Sequence, residues 1–412
     1  MQEKSEFQYF TLSNGIRIIH RYHDNNVAHC GIIINTGTRD ETEAENGMAH
    51  FIEHLVFKGT KKRKAFHVLS RLENVGADLN AYTSKEETCI YASFLNKYYD
   101  RTLELISDIT FNSIFPEKEI EKEKDVIIDE INSYKDSPAE EIFDEFEDVV
   151  FKGHPLGRNI LGNIKTLKTF DRESIKTFIG NNYHTDEMVI CSVGKINFNK
   201  LIQIISKYFG NIPKSIRPYK RKDFIEYKAV RKELFKGIYQ SHCVIGNVAY
   251  KRSDPLKTSM YLLTNILGGP GLNSRLNLGL REKHGLSYNI ESNYTTYSDT
   301  GVFNIYLGTE KEFLEKSISL VLKELKKLRD KKLGVLQLHI AKQQFIGQLA
   351  ISYESKLNEL LSIGKSYLSN NKVDSLKQIN QRIEIITAET LLEIANKIFD
   401  KDQLSTLIYY TK

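Results

Sequence analysis

Three polar side chains in one short apolar stretch carry the strongest chemical signal in the chain. Residues 47–57 read Gly47-Met48-Ala49-His50-Phe51-Ile52-Glu53-His54-Leu55-Val56-Phe57, a His-x-x-Glu-His order. On a helix, His50 and His54 stand one turn apart and share a face. Glu53 falls about 60° from His50 at roughly 100° per residue, so all three heads leave one stripe. Two imidazoles at that spacing suit a zinc ion at about 2.0–2.1 Å from each nitrogen. The carboxylate beside them is placed to take a proton from a water that the metal activates. Met48, Ala49, Ile52, Leu55 and Val56 occupy the other face and give the helix something to bury. A single histidine reads as an ordinary hydrogen-bonded residue; a pair one turn apart with an acid between them points to a bound metal.

A catalytic zinc takes three protein ligands and leaves one position open. The acidic run at 117–135 offers Glu123 and Glu130, seven residues and so two helical turns apart, facing the same way. The remaining acids of that run read as a solvated face.

These residues need a frame. Residues 7–37 read as strands, with β-branched side chains dominant and Asn14-Gly15 marking a hairpin turn. The metal-type helix is expected at 44–57 and a second helix at 64–75, stopped by Gly76. Strands follow at 79–84 and 88–94, then helices at 97–112, 117–135, 138–152 and 167–181, a strand at 188–194 and a helix at 197–208. Strands mixed with separate helical runs predict an α+β fold rather than a doubly wound parallel sheet.

Residues 209–222 lose periodicity, hold two prolines and read as a linker, whose basic run Lys214 to Lys222 reads as solvated. The expected domains are 1–208 and 223–412. The pattern then restarts: His242-Cys243 stands 213 positions after His29-Cys30, Met260 stands 212 after Met48, and Phe399 stands 216 after Tyr183. A near-constant offset is a repeat. At 212, His50, Glu53 and His54 become Leu262, Asn265 and Ile266, so the second half lacks the ligands.

Composition narrows the class. The 412 residues suit two domains of ~200. A hydrophobic content of 41% and a charged content of 27% are those of a soluble globular protein. No run approaches the ~18 apolar residues of a membrane span, and the first residues have no apolar signal core, so a cytoplasmic protein without a membrane partner is expected. Net charge is +5 with basic and acidic residues interleaved, which does not mark a nucleic-acid surface. Cys30, Cys89, Cys191 and Cys243 are widely spaced in apolar segments and read as buried free thiols.

His50-Phe-Ile-Glu53-His54, followed after 75 intervening residues by Glu130, resembles the pitrilysin and mitochondrial processing peptidase family of inverzincins, in its bacterial half-length type. The likeness extends from about Thr11 to the C-terminus. It is carried further by Phe57-Lys-Gly-Thr60, Asn80-Ala-Tyr-Thr83, His154-Pro-Leu-Gly157 with Ile160-Leu-Gly162, Asn273-Ser-Arg-Leu276 and Leu280 to Tyr288. The resemblance implies a zinc metalloendopeptidase acting on oligopeptides or unfolded segments, with one Zn2+ per chain. It implies His50, His54 and Glu130 as ligands, Glu53 as general base and Glu123 as a carboxylate orienting a ligand histidine. Asn80, Ala81 and Tyr82 match an edge strand that pairs with substrate backbone. Arg281 and Tyr288 match a pair that reaches the active site from the second half, where both could donate to a developing oxyanion. His284 stands where relatives often have arginine.

The implied architecture is two similar domains, each a mostly antiparallel sheet packed with helices, forming half of a clamshell. Single chains that close around substrate in this family are about twice as long. A homodimer that shares its active site between subunits is therefore expected, with peptide as substrate. The alternative is a non-catalytic scaffold or partner subunit of the same fold. Gly268-Gly-Pro-Gly271 lacks the Gly-Lys-Ser/Thr ending of a phosphate loop and reads as a turn.

Overall fold

The computed structural model describes residues 6–287 and 289–411. The chain divides into two compact units. Unit 1 gathers residues up to Asn132 with Arg158–Arg221 and Ile351–Ser375; unit 2 gathers Ser133–Gly157, Lys222–Ala350 and the residues from Leu376 onward.

Unit 1 is built on six strands: β1 (Gln8–Thr11), β2 (Arg17–Tyr22), β3 (Val27–Ile34), β4 (Asp78–Thr83), β5 (Thr88–Leu95) and β6 (Met188–Gly194). Their order is β1-β2-β6-β3-β5-β4, with β2 and β6 parallel and the other neighbours antiparallel. The β1–β2 hairpin turns at Gly15, whose φ of +99° lies in the region glycine tolerates. Alternation divides each central strand between two cores. Cys30, Ile32 and Ile34 of β3 face one core together with α1 (Met48–Leu55) and α3 (Tyr99–Phe111), which flank α2 (Ala65–Glu73) in chain order. Ile33 of β3 with Val189, Cys191 and Val193 of β6 faces the other core, closed by the helix Lys356–Asn370 through Leu360 and Ile363. That helix packs close at Gly364, where a Cβ would lie 2.5 Å from Ile33 Cδ1 and 2.9 Å from Cys191 Sγ. Arg21 pairs with the buried Glu359 of the same helix, and Lys365 pairs with Glu87. With both faces covered, the strands must be apolar on both sides, and they are.

Unit 2 repeats the plan with β7 (Arg231–Phe235), β8 (Ser241–Ala249), β9 (Asn289–Thr296), β10 (Gly301–Thr309) and β11 (Ser405–Tyr410). The order β7-β11-β8-β10-β9, with β7 and β11 parallel and the rest antiparallel, matches β2-β6-β3-β5-β4 strand for strand. One face packs under the helices Lys257–Gly268, Leu314–Asp330 and Ala388–Ile398. The other is closed by Ile142, Phe146 and Val150 of a helix from the first half of the sequence, Pro138–Val150. The sequence repeat is thus a repeat of topology, an α+β fold with mostly antiparallel sheets.

All four cysteines are buried free thiols. No helix among the described residues is long and apolar enough to cross a membrane. The helix expected at 167–181 forms as two pieces, Ile164–Leu167 and Arg172–Asn182. Asp171 caps the second piece by accepting from the Ser174 N–H at 2.8 Å.

The basic run is solvated as expected at Lys214, Lys220 and Lys222, but its two arginines turn inward. Arg217 bonds the Asn35 carbonyl, and Arg221 grips Asp40 through Nε at 2.8 Å and Nη2 at 2.7 Å. The Arg221 Nη2 also donates to the carbonyls of Glu86 at 2.8 Å and Asn35 at 3.0 Å. The Asp40 side chain is fully buried, so water cannot replace the guanidinium. Arg221→Ala strands that carboxylate, and we expect unit 1 to lose about 3–5 kcal/mol. Urea denaturation measures this; a loss under ~1 kcal/mol, the value of an exposed pair, would refute it.

Candidate metal centre

The helix α1 is short, and its amphipathic pattern places it. Met48, Phe51, Ile52 and Leu55 are buried in the first core, leaving His50, Glu53 and His54 on the opposite stripe. The helix opens at Gly47, whose φ of +97° suits glycine and which supplies no capping side chain. The cap comes instead from Glu41, buried and nine residues before His50. Its Oε1 accepts the Ala49 N–H at 2.9 Å and its Oε2 the Gly47 N–H at 2.9 Å. Burial pushes the Glu41 carboxyl up to about 8, against the pull of those two N–H groups.

The second element is α4 (Glu117–Lys135), which buries Ile120, Ile127 and Ile131. Glu123 lies on that same face at helical spacing, and this brings it inward. Glu130 is the more open of the two acids, with its side chain 42% exposed.

The two helices bring three donor groups together. The Glu130 Oε2 lies 3.8 Å from His50 Nε2 and 3.7 Å from His54 Nε2. The candidate ligand atoms of His50, His54 and Glu130 all fall within 4.8 Å of one another. Donors around a tetrahedral ion at 2.0–2.1 Å stand about 3.4 Å apart, so the spread of these three groups is close to that of a metal site. The two imidazole rings meet edge to face, with centroids 4.7 Å apart.

The protonation state of His50 favours the same reading. Burial, with His54 adding to it, lowers the His50 pKa to about 4, so His50 is neutral at pH 7 and carries a free lone pair. The His54 Nδ1 lies 3.0 Å from Glu123 Oε2, which turns the ring so that Nε2 faces Glu130. Burial disfavours the His54 imidazolium, but the bond to Glu123 and the charges of Glu130, Glu123 and Glu53 outweigh it and raise its pKa. Burial also works against the Glu123 carboxylate. Its hydrogen bonds to His54 and to Lys58 Nζ, the latter at 2.6 Å, win and hold it below the usual range. The Glu53 carboxyl is raised, chiefly by burial, with Thr83 and His54 opposing.

Asn80, Ala81 and Tyr82 lie on β4, the edge of the first sheet, which pairs only with β5. Ala81 packs into the core beneath α1 and Tyr82 into the core on the other face. Asn80 is exposed and the outer backbone edge of the strand is open. The Thr83 hydroxyl lies 3.5 Å from the Ala49 carbonyl, at the end of β4 nearest α1. Arg281 stands in unit 2 on the segment Asn277–Glu282, 43% exposed. It lines a 360 Å³ cleft with Gly268, Gly269, Pro270 and the start of β9. Tyr288 lies outside the described residues.

Reading motifs assigned no role to Glu41, Lys58 or Thr83. Lys58 sits in the Phe57-Lys-Gly-Thr60 stretch, four positions after His54, so helical spacing could have flagged it. Glu41 precedes the helix across a loop, and no sequence periodicity points to it.

Residues 17–164 match the model of the insulinase family, peptidase family M16, and residues 169–345 match the peptidase M16 inactive domain. The uncharacterized zinc protease YmxG of Bacillus subtilis (strain 168) is 31% identical over 403 residues, covering 97% of each chain. The mitochondrial-processing peptidase subunit beta of Saccharomyces cerevisiae is also 31% identical, over 93% of this chain and 87% of its own. A crystal structure of a peptidase M16 inactive domain from Pseudomonas fluorescens superposes with a TM-score of 0.91 at 20% identity, covering 98% of both chains, which speaks for the fold alone. Relatives this similar over nearly the whole length leave one conclusion: the chain belongs to peptidase family M16.

Proposed function

We propose that this protein is a zinc metalloendopeptidase that hydrolyses oligopeptides or unfolded segments in the cytoplasm. The observation that supports it is the convergence of His50, His54 and Glu130 within 4.8 Å, with Glu53 on the same helix stripe. His50, His54 and Glu130 would hold one zinc ion, which supplies Lewis acidity toward the scissile carbonyl and toward water.

The chain's own residues do the rest. Glu53 takes a proton from the attacking water and returns it to the leaving amine nitrogen. Glu123, held by Lys58, keeps the His54 ring turned so that its Nε2 faces Glu130. The open edge at Asn80, Ala81 and Tyr82 pairs with extended substrate through backbone hydrogen bonds, which tolerates many side-chain sequences. Arg281 and Tyr288 donate to the carbonyl oxygen as charge develops there. The reading assigns them to the zinc centre of a second copy, so that two chains close as a clamshell around the peptide.

Metal content by mass spectrometry, paired with cleavage of a quenched mixed-sequence peptide before and after chelation, tests this. We expect near one zinc per chain and loss of cleavage on chelation. No zinc and no cleavage would overturn it. A second reading, a non-catalytic scaffold or partner subunit, is favoured by the yeast relative's name as a subunit. It predicts no cleavage by the purified chain alone.

A further inference from the structure

The loop 158–163 belongs to no step above, yet it abuts the start of the metal helix. Arg158 donates to the Glu41 carbonyl, and Asn46 Nδ2 donates to the Asn159 carbonyl at 3.2 Å. The Thr166 hydroxyl donates to the Asn46 carbonyl at 2.8 Å. Gly162, with φ +71°, meets Gly47 backbone to backbone. A Cβ on Gly162 would lie 2.4 Å from the Asn46 oxygen and 2.6 Å from Gly47 Cα.

The Gly47 N–H itself meets Glu41, which is 4% exposed. Its Oε2 takes the Gly47 N–H at 2.9 Å and the Asn46 amide at 3.3 Å, and its Oε1 takes the Ala49 N–H at 2.9 Å. The first turn of a helix leaves its N–H groups without internal partners, and glycine caps none of them. With eight residues, α1 is too short to hold its own geometry, so its ends must be held. His50 follows Ala49 directly, and its Nε2 stands 3.8 Å from Glu130 Oε2 across the centre.

We infer that Glu41, acting through the Gly47 and Ala49 N–H groups against the Gly47–Gly162 contact, is a positioning residue for the metal centre: it sets where His50 stands relative to Glu130. The inference rests on the metallopeptidase reading. A wild-type chain that binds no zinc would defeat that reading; a wild-type chain that binds it leaves this inference to be judged by variants.

Above about pH 8, where the Glu41 carboxyl is ionised, Glu41→Gln keeps the shape of the side chain, but an NH2 replaces one of the two acceptor oxygens and faces a backbone N–H. We expect a folded protein whose zinc affinity, measured by chelator competition with Zn2+ alone, falls about 10–100-fold, the scale of lost ligand-orienting bonds. kcat should fall while the peptide KM holds, because β4 is untouched. Thr166→Val removes another bond at the same helix start, at a half-buried site; it is isosteric and is expected to fold and to weaken zinc several-fold. Zinc affinity equal to wild type in either folded variant overturns the inference. A drop in urea stability with unchanged zinc affinity does so as well, by showing a purely structural role.

Discussion

Glu53→Gln leaves zinc bound and lowers kcat on a quenched peptide by about 10²–10⁴, the share that a positioned general base contributes. Glutamine fills the same space on α1 and disturbs no ligand, since Glu53 is not among the three convergent donors. It cannot accept the proton that attack by water releases. The pH profile gives an independent check. Burial raises the Glu53 carboxyl, and a base works only when deprotonated. Activity is therefore lost as pH falls through that raised value, and the acid limb of kcat/KM lies above the ordinary carboxylate value of about 4.3. A variant that retains both zinc and hydrolysis would remove Glu53 from the mechanism.

Arg281→Ala lowers kcat by about 10²–10³, the cost of losing one oxyanion donor. The larger effect comes on mixing. If the second half of one chain serves the centre of another, a dimer of one Glu53→Gln chain and one Arg281→Ala chain holds one intact site: the Arg281→Ala centre completed by the other chain's arginine. Half the dimers in an equal mixture are of this kind, so about a quarter of the wild-type activity returns from two inactive proteins. Mixed dimers confirmed by mass spectrometry without recovered activity would place the pair in the same chain as its zinc, or outside the reaction.

How much of this was legible beforehand differs from residue to residue, for physical reasons. The stripe His50–Glu53–His54 and the face shared by Glu123 and Glu130 follow from helical periodicity, a local property that the chain spells out. The repeat was legible too, because each half restates the same strand and helix pattern, and five strands of the first sheet take the order and pairing of the second. The bond from Glu123 to His54 joins two helices 69 positions apart in the sequence, and spacing gives no sign of it.

Sequence alone determined the helix that presents the polar stripe, the repeated pattern of strands and helices, the replacement of His50, Glu53 and His54 by Leu262, Asn265 and Ile266 in the repeat, and the family. Tertiary structure decided three other things. It decided which helix closes which sheet: Pro138–Val150 packs its apolar face on the second sheet and Lys356–Asn370 on the first, pairings between segments far apart in the chain. It turned basic residues of the 214–222 run into internal ties, since a buried Asp40 needs a guanidinium that water cannot supply. And it supplied the cap of the metal helix from Glu41, because a helix that starts on glycine must take its hydrogen-bond partners from wherever the fold brings a carboxylate.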